Sequence, residues 1–364
     1  MIVQIQKFKG LILSFILSAT LAATGFFVSA QEIPNNIPRY NPTKPAATPP
    51  PRPTSKPYIW DKEKEKSKTK KRILNESDTP AEKSLAVDTK VNVSFCVSEG
   101  TVRVNGWDRN EIRAYVSDGS KVGFKVLQRS KQTESPIWVK ILGFDPSTTK
   151  EADAEECLSG SEIEIDVPRN ATVNIEGIEI NTTVESVRKV SVHIAGGNIS
   201  LNDIAQGIEA VTYQGGITVG RSDGAVDLIT TDGNIVAYEV SPSEVGDIFK
   251  AKTNKGMIML DQIEHGQIDI SSNTGSIRFN GAFSSNGQYS FGTQSGSILL
   301  TIPEKSSCTI YAILAYGQFN SEIPLVTENI SNPNGVKSLT GVIGKGEAKL
   351  NLKTYNGKIM IKKQ

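Results

Sequence analysis

A hydrolytic or group-transfer site needs a base beside its nucleophile, or two carboxylates held in different environments. This chain has only two histidines, His193 and His265. His193 falls on the alternating stretch Val190-Ser191-Val192-His193-Ile194, opposite the valines, and His265 precedes Gly266 in a turn-like stretch. Both read as surface residues. Two acidic pairs, Asp223 with Asp227 and Asp261 with Glu264, are the candidates for cleaving a polysaccharide, a reaction that uses two carboxylates and is hosted by some parallel β-helices. The repeats around them are poor in the Trp and Arg that would grip sugar. There is no His-Glu-x-x-His pair, no phosphate-binding glycine loop and no Cys-x-x-Cys pair. Zinc and nucleotide chemistry therefore have no support, and no cofactor is expected. The expectation is a protein that is not an enzyme.

Three cysteines are too few for a disulfide-built scaffold, even in an exported chain. Cys96 and Cys157 both precede the clear repeats and are a possible disulfide, with the free-thiol alternative left open. Cys308 reads as a small buried residue ahead of a strand.

Any of these side chains must be positioned by a ten-residue phrase, apolar-x-apolar-x-Thr-x-x-Gly-x-Ile, that recurs through the second half of the chain. The copies start at Val190, Ile208, Val226, Phe249, Ile268, Tyr289, Ile310 and Leu350. Their glycines are Gly197, Gly215, Gly233, Gly256, Gly275, Gly296, Gly317 and Gly357. Successive starts lie 18, 18, 23, 19, 21, 21 and 40 residues apart, and a unit of that length must stack on its neighbours to bury its apolar face. The alternation marks a half-buried strand, Thr or Ser ends it, and glycine supplies a positive φ at the corner. The closing Ile begins a second strand. Glycine in every window and an apolar period of two exclude helix. The fold class is all-β: a β-solenoid or β-helix of about 20-residue coils, spanning 169–364 with its closing segment. The corner residues Tyr213, Gln214, Asp232, Asn254, Lys255, Asn273, Thr274, Gln294 and Ser295 read as turn chemistry. The alternative is a repeated ligand-facing ridge, for which their charges and sizes are too mixed to form a regular lattice.

Residues 1–30 have the pattern of a signal peptide: Lys7 and Lys9, an apolar run from Leu11 to Phe27, then Val28-Ser29-Ala30 before Gln31. Cleavage is expected between Ala30 and Gln31, leaving no transmembrane span. An uncleaved anchor is the alternative. Residues 31–83 form a proline-rich and then basic disordered linker, ending in a lysine-rich run from Asp61 to Arg72. That run is either solvated spacer or an electrostatic tether to an anionic surface. The whole chain carries 40 Lys and Arg against 39 Asp and Glu, so any basic effect belongs to this run and not to the folded part, and nucleic acid is a poor third choice for a chain expected to be exported.

Residues 84–168 read as an N-terminal antiparallel β cap, because an open solenoid end exposes strand edges and apolar side chains. Val87 to Val97 alternates, and turns are expected at Gly100 and Gly106. After Gly317 the next phrase begins only at Leu350, so an irregular excursion is expected to close the other end.

The turn from Gly100 to Trp107 with the alternating Glu111-to-Val116 stretch resembles the opening of the bacterial putative-adhesin domain family of unknown function. Leu339 to Glu347, followed by Leu350 to Ile361, resembles its end, and the central Gly-x-Ile repeats fit between them. The likeness covers most of residues 85–364; the proline-rich lead and the Glu134-to-Gly160 insertion depart from it. It implies a β-solenoid related to autotransporter adhesin heads and a surface-binding role, with no catalytic residues to carry over. The resulting expectation is an exported module in periplasm, envelope or extracellular space that binds a surface, polysaccharide or protein. A passive scaffold and a polysaccharide-cleaving enzyme are the alternatives.

Overall fold

The computed structural model describes residues 81–144, 149–150, 156–331 and 336–364, which contain strands and no helix. The cleavage point at Ala30 and Gln31 and nearly all of the linker lie outside the described residues. Seven strands come first: β1 (Ala81–Ala86), β2 (Asn92–Trp107), β3 (Glu111–Val116), β4 (Lys121–Arg129), β5 (Pro136–Phe144), β6 (Leu158–Pro168) and β7 (Thr172–Glu185). Six coils of two strands follow. They are β8 (Lys189–Gly196) with β9 (Ile199–Asn202), β10 (Gly207–Gln214) with β11 (Ile217–Asp223), and β12 (Ala225–Asp232) with β13 (Ile235–Ser241). Next come β14 (Ile248–Lys255) with β15 (Ile258–Ile263), β16 (Gln267–Thr274) with β17 (Ile277–Asn280), and β18 (Gln288–Ser295) with β19 (Ile298–Ile302). The chain ends through β20 (Cys308–Tyr316), β21 (Phe319–Ser321), β22 (Val326–Ser331), β23 (Lys337–Ile343), β24 (Ala348–Asn356) and β25 (Ile359–Lys363).

The first strand of each coil stacks in parallel on its counterpart in the next, and so does the second. Two parallel sheets result, with a β-solenoid core between them. Alternation decides what fills it. Ile208, Val226, Phe249, Ile268 and Tyr289 form one inner row, and Ile217, Ile235, Ile258, Ile277 and Ile298 form another, all buried. Each large apolar side chain buried this way contributes about 1.5–3 kcal/mol. A third row, Ala210–Leu228–Ala251–Ile270, alternates small and large, so neighbouring coils fill one another's space.

The corner holds the coils together more closely than the phrase alone implies. A Cβ on Gly215 would overlap the carbonyl oxygen of Gly197, and the same relation runs Gly233 to Gly215, Gly256 to Gly233, Gly275 to Gly256, Gly296 to Gly275 and Gly357 to Gly296. Gly197, Gly215, Gly256 and Gly275 have a positive φ, whereas Gly233, Gly296, Gly317 and Gly357 do not. Close approach between coils, not positive φ, is therefore the requirement that all copies share. The corner hydroxyls complete the contact. Thr230 Oγ1 donates to the Gly215 carbonyl at 2.9 Å, and Thr253 bonds Gly233 at 3.0 Å, Ser272 bonds Gly256 at 3.1 Å, Thr293 bonds Gly275 at 2.9 Å and Thr354 bonds Gly296 at 2.9 Å. The hydroxyl thus reaches the previous coil rather than only its own turn.

At the N-terminal end the arrangement is mixed. β1 with β3, β3 with β6, and β4 with β5 are antiparallel, as a cap requires. β2, however, is one 16-residue strand running through Gly100 and Gly106, and it lies parallel to β5, β6 and β7. The two glycines are not hairpin turns. Gly100 is registered with Ile180, and a Cβ on it would overlap the Gly160 carbonyl, so it occupies the same kind of close-approach corner as the repeat glycines. Cys96 and Cys157 form a disulfide across 61 residues, tying β2 to the start of β6. Cys308 is buried, and burial pushes its thiol up to about 11, which leaves it protonated and inert.

At the other end, chain order and stacking order part company. β24 pairs in parallel with both β18 and β20, and β25 with both β19 and β21. The last phrase in sequence is therefore the penultimate coil in space. The stretch between Gly317 and Leu350 makes β22 and β23, an antiparallel pair laid on the outer edge of β20.

Gly233→Ala and Gly296→Ala are expected to lower stability by about 3 kcal/mol, although neither glycine has a left-handed φ. Gly292→Ala is expected to leave the urea midpoint unchanged, since its Cβ meets nothing nearer than the Ile270 carbonyl oxygen at 4.0 Å. Equal midpoints for the three variants would remove the corner-contact explanation. Reduction of Cys96–Cys157 is expected to lower the unfolding free energy by about 4 kcal/mol from loop closure, read from urea curves with and without reductant.

Candidate binding face

Side chains opposite the core on β8, β10, β12, β14, β16, β18, β24 and β20 form a broad outer face. Register sets them in straight rows. Gln214, Asp232, Lys255, Thr274, Ser295 and Asn356 follow one another along the corner edge. Tyr213, Asn254, Asn273 and Gln294 precede them on the same strands and form the adjacent row, where Asn273 Nδ2 donates to Asn254 Oδ1 at 3.0 Å. All nine ridge residues read from the sequence are thus brought to one exposed edge.

The next row inward is Val211, Ile229, Lys252, Ser271, Gly292, Lys353 and Ile313. It drops to small residues at Ser271 and Gly292. There a cavity of about 390 Å³ opens, lined by Ser271, Ser272, Gly292, Thr293, Gln294, Lys353 and Tyr355. Tyr355 is half-exposed and meets the exposed Tyr316 edge to face, ring centroids 5.5 Å apart. Sequence reasoning passed over Gly292 because it stands outside the glycine column of the phrase. Its signal was a glycine at an outward position of a strand.

The two acidic pairs do not assemble into one site. Asp261 accepts from Asn280 Nδ2, and Glu264 accepts from the Ser241 hydroxyl at 2.9 Å, so each carboxylate is committed to a different neighbour. Asp227 stands on the outer face of β12, in a cavity of about 370 Å³ shared with Glu209, Lys189, Lys250 and Asp247, and Asp223 is not among its lining residues. Among the described residues no group of three or more His, Cys, Asp or Glu could hold a metal ion.

His193 is exposed as read, with Nε2 3.2 Å from Glu209 Oε1. His265 is not a surface residue: it is fully buried. The cause is a second corner that the sequence did not announce. Ser186, Asp203, Arg221, Glu239 and Gln262 occupy equivalent places in successive coils, and all have positive φ, between 44° and 58°. Each such residue advances the alternation by one, so that Val187, Ile204, Ser222, Val240 and Ile263 return inward. His265 follows Ile263 by two and shares its side. Its Nε2 donates to the Gly224 carbonyl at 2.8 Å, its ring lies edge-on to Phe249, and Nδ1 has no hydrogen-bond partner. Burial lowers its pKa, opposed by the Gly224 carbonyl, the Asp247 charge, the Val240 backbone and the Asp223 charge.

Comparison with known proteins adds a family. A family model described as Toastrack DUF4097, a domain of unknown function, matches residues 82–362. No curated protein matches the chain. A solved crystal structure of a putative cell adhesion protein from Clostridium sporogenes is similar at 11% identity, covering 79% of this chain and 100% of its own, with a TM-score of 0.20.

A lowered pKa means that the unfolded chain takes up a proton at His265 before the folded one does. Stability from this residue is complete above about pH 6.5, its ordinary value, and is lost as pH falls below it. His265→Gln, which keeps a donor toward Gly224, is expected to show a smaller loss in urea midpoint between pH 7.5 and pH 5 than the parent. An identical loss in both would assign the acid sensitivity elsewhere.

Proposed function

This chain belongs to the Toastrack DUF4097 family, and from that premise we propose that it is an exported, non-catalytic binding module of the cell envelope or surface. Its ligand is a surface-borne polysaccharide or protein partner, engaged by the outer sheet face. The observation that carries this reading is the division of labour along each strand. Inward residues are committed to the core, and the corner glycines and hydroxyls to contacts between coils, which leaves straight rows of varied, exposed side chains on the outer face. Varied rows suit recognition of a partner. Export draws support from the leader-like first 30 residues and from the Cys96–Cys157 disulfide, which persists in an oxidising compartment. The non-catalytic reading draws support from Asp261 and Glu264, whose carboxylates serve neighbouring coils. A passive envelope scaffold is the second reading, favoured by the near-continuous corner ladder from Gly197 to Gly357, which suits a stiff rod.

The test is co-sedimentation of the full chain with isolated cell envelopes at low and high salt. A variant with Lys62, Lys64, Lys66, Lys68, Lys70, Lys71 and Arg72 changed to Gln is run beside it. Substitution is preferred to truncation at Ser84, because Ser84 lies within β1. Sedimentation that survives neutralisation of the tail is expected and assigns binding to the solenoid. Loss with the tail charges, together with loss at high salt, would make the tail an electrostatic tether. No binding by either protein would favour the scaffold.

A further inference from the structure

We propose that the notch above Gly292 is a binding subsite for an acidic polysaccharide, one whose sugar rings carry carboxylates. This rests on the binding-module reading and names its ligand class and place.

The notch is built by three features in register. Lys252, Ser271, Gly292 and Lys353 stand side by side on β14, β16, β18 and β24. Strands in a sheet lie about 4.8 Å apart, so the two lysines flank a floor two strands wide in which the side chains are a hydroxymethyl and a hydrogen. That width accepts a pyranose ring lying on the sheet. On the Lys353 side, Tyr355 lines the cavity, and the edge-to-face contact with Tyr316 steadies its ring. An exposed tyrosine offers an apolar face for the C–H side of a sugar and a hydroxyl for its polar rim.

The polar groups around the floor are uncommitted. The side chains of Lys252, Lys353 and Gln294 form no hydrogen bond or ion pair, and both lysines are exposed. An amide and two ammonium groups beside an aromatic wall match hydroxyls and carboxylates spaced along a chain. Charge complementarity is what commits the occupant to an acidic glycan. Lys250, Lys252, Lys349 and Lys353 lie on the outer face of β14 and β24; Asp227 and Asp269 flank Lys250 in register, one row away from the notch, whereas Lys252 and Lys353 have no carboxylate beside them in their own row. The row that holds Lys250 also carries Glu209 and Asp227 on the two strands before it, so the uncompensated cationic charge is that of the notch row.

Gly292 also makes the proposal testable without unfolding the protein. Because a Cβ there meets nothing nearer than the Ile270 carbonyl oxygen at 4.0 Å, Gly292→Leu fills the notch and leaves the coil contacts intact. The experiment is native gel electrophoresis of the full chain through polygalacturonate, alginate or hyaluronate, with neutral dextran as the reference gel and calorimetry on whichever polymer retards it. Retardation by at least one acidic polymer and none by dextran is expected. Gly292→Leu, Tyr355→Ala and Lys353→Gln are each expected to weaken binding tenfold or more, while Met259→Ala, exposed on β15 of the other sheet, leaves it unchanged. Tail-neutralised protein is expected to bind as the parent does. Absence of retardation by all three acidic polymers, or retardation that Gly292→Leu does not alter, overturns the proposal. If the acidic polymers fail while the tail-neutralised chain still sediments with envelopes, the subsite falls and the binding-module reading stands. If sedimentation fails too, both fall.

Discussion

The contact between successive glycine corners is the constraint on which the rest of the molecule depends. At each corner the backbone of one coil lies against the carbonyl of the coil before it, leaving no room for a Cβ. The corner N–H groups are satisfied across the same gap: Gly215 N donates to Asp232 O, Gly233 N to Lys255 O and Gly256 N to Thr274 O. The Thr and Ser hydroxyls then bond the glycine carbonyls, each bond adding about 1 kcal/mol net. Where the hydroxyl column stops, at Ile194 in one end coil and Leu314 in the other, apolar side chains take its place. A polar contact inside the corner is thus repeated wherever a coil has regular coils on both sides.

That repetition fixes register, and register fixes function. Because like positions stand beside like positions on neighbouring strands, a row of the outer face is a sequence of choices made at one place in the phrase. The corner row varies freely among Gln214, Asp232, Lys255 and Thr274 without disturbing the core. Gly292 shows the same logic in reverse. It lies on an outer row, where a Cβ would come no nearer another backbone than 4.0 Å, so its missing side chain shapes a surface rather than a contact.

The ends obey the same physics by different means. A stacked solenoid leaves unpaired strand edges at both ends. At the first end, β1, β3 and β4 turn antiparallel and the Cys96–Cys157 bond staples the layer. At the other, β23 covers β20 and β22 covers β23, while β24 and β25 enter between coils already described by earlier sequence. The C-terminal strands therefore join two parts of the stack that are distant from one another along the chain, and the outermost coil has no regular neighbour until they arrive.

The sequence by itself determined the coil: alternation gave the strands and their inner rows, and the glycine column gave the corner, because both are local patterns that a single chain displays. It also showed the polar edge, since those residues sit at fixed places in the phrase. It did not show why the glycines are needed, because the clashing carbonyl belongs to the preceding coil and not to the residue's own turn. It misplaced Gly100 and Gly106, which resemble hairpin turns in one dimension and are interior points of β2 in three. It placed His265 outside, because a left-handed Gln262 shifts the alternation by one and nothing in the residue type of Gln262 signals that conformation. The order of the last coils, the closing of Cys96 on Cys157 and the notch at Gly292 were decided by tertiary structure. Each depends on which strands become neighbours, and neighbours in a stack are chosen by complementary surfaces, not by distance along the chain.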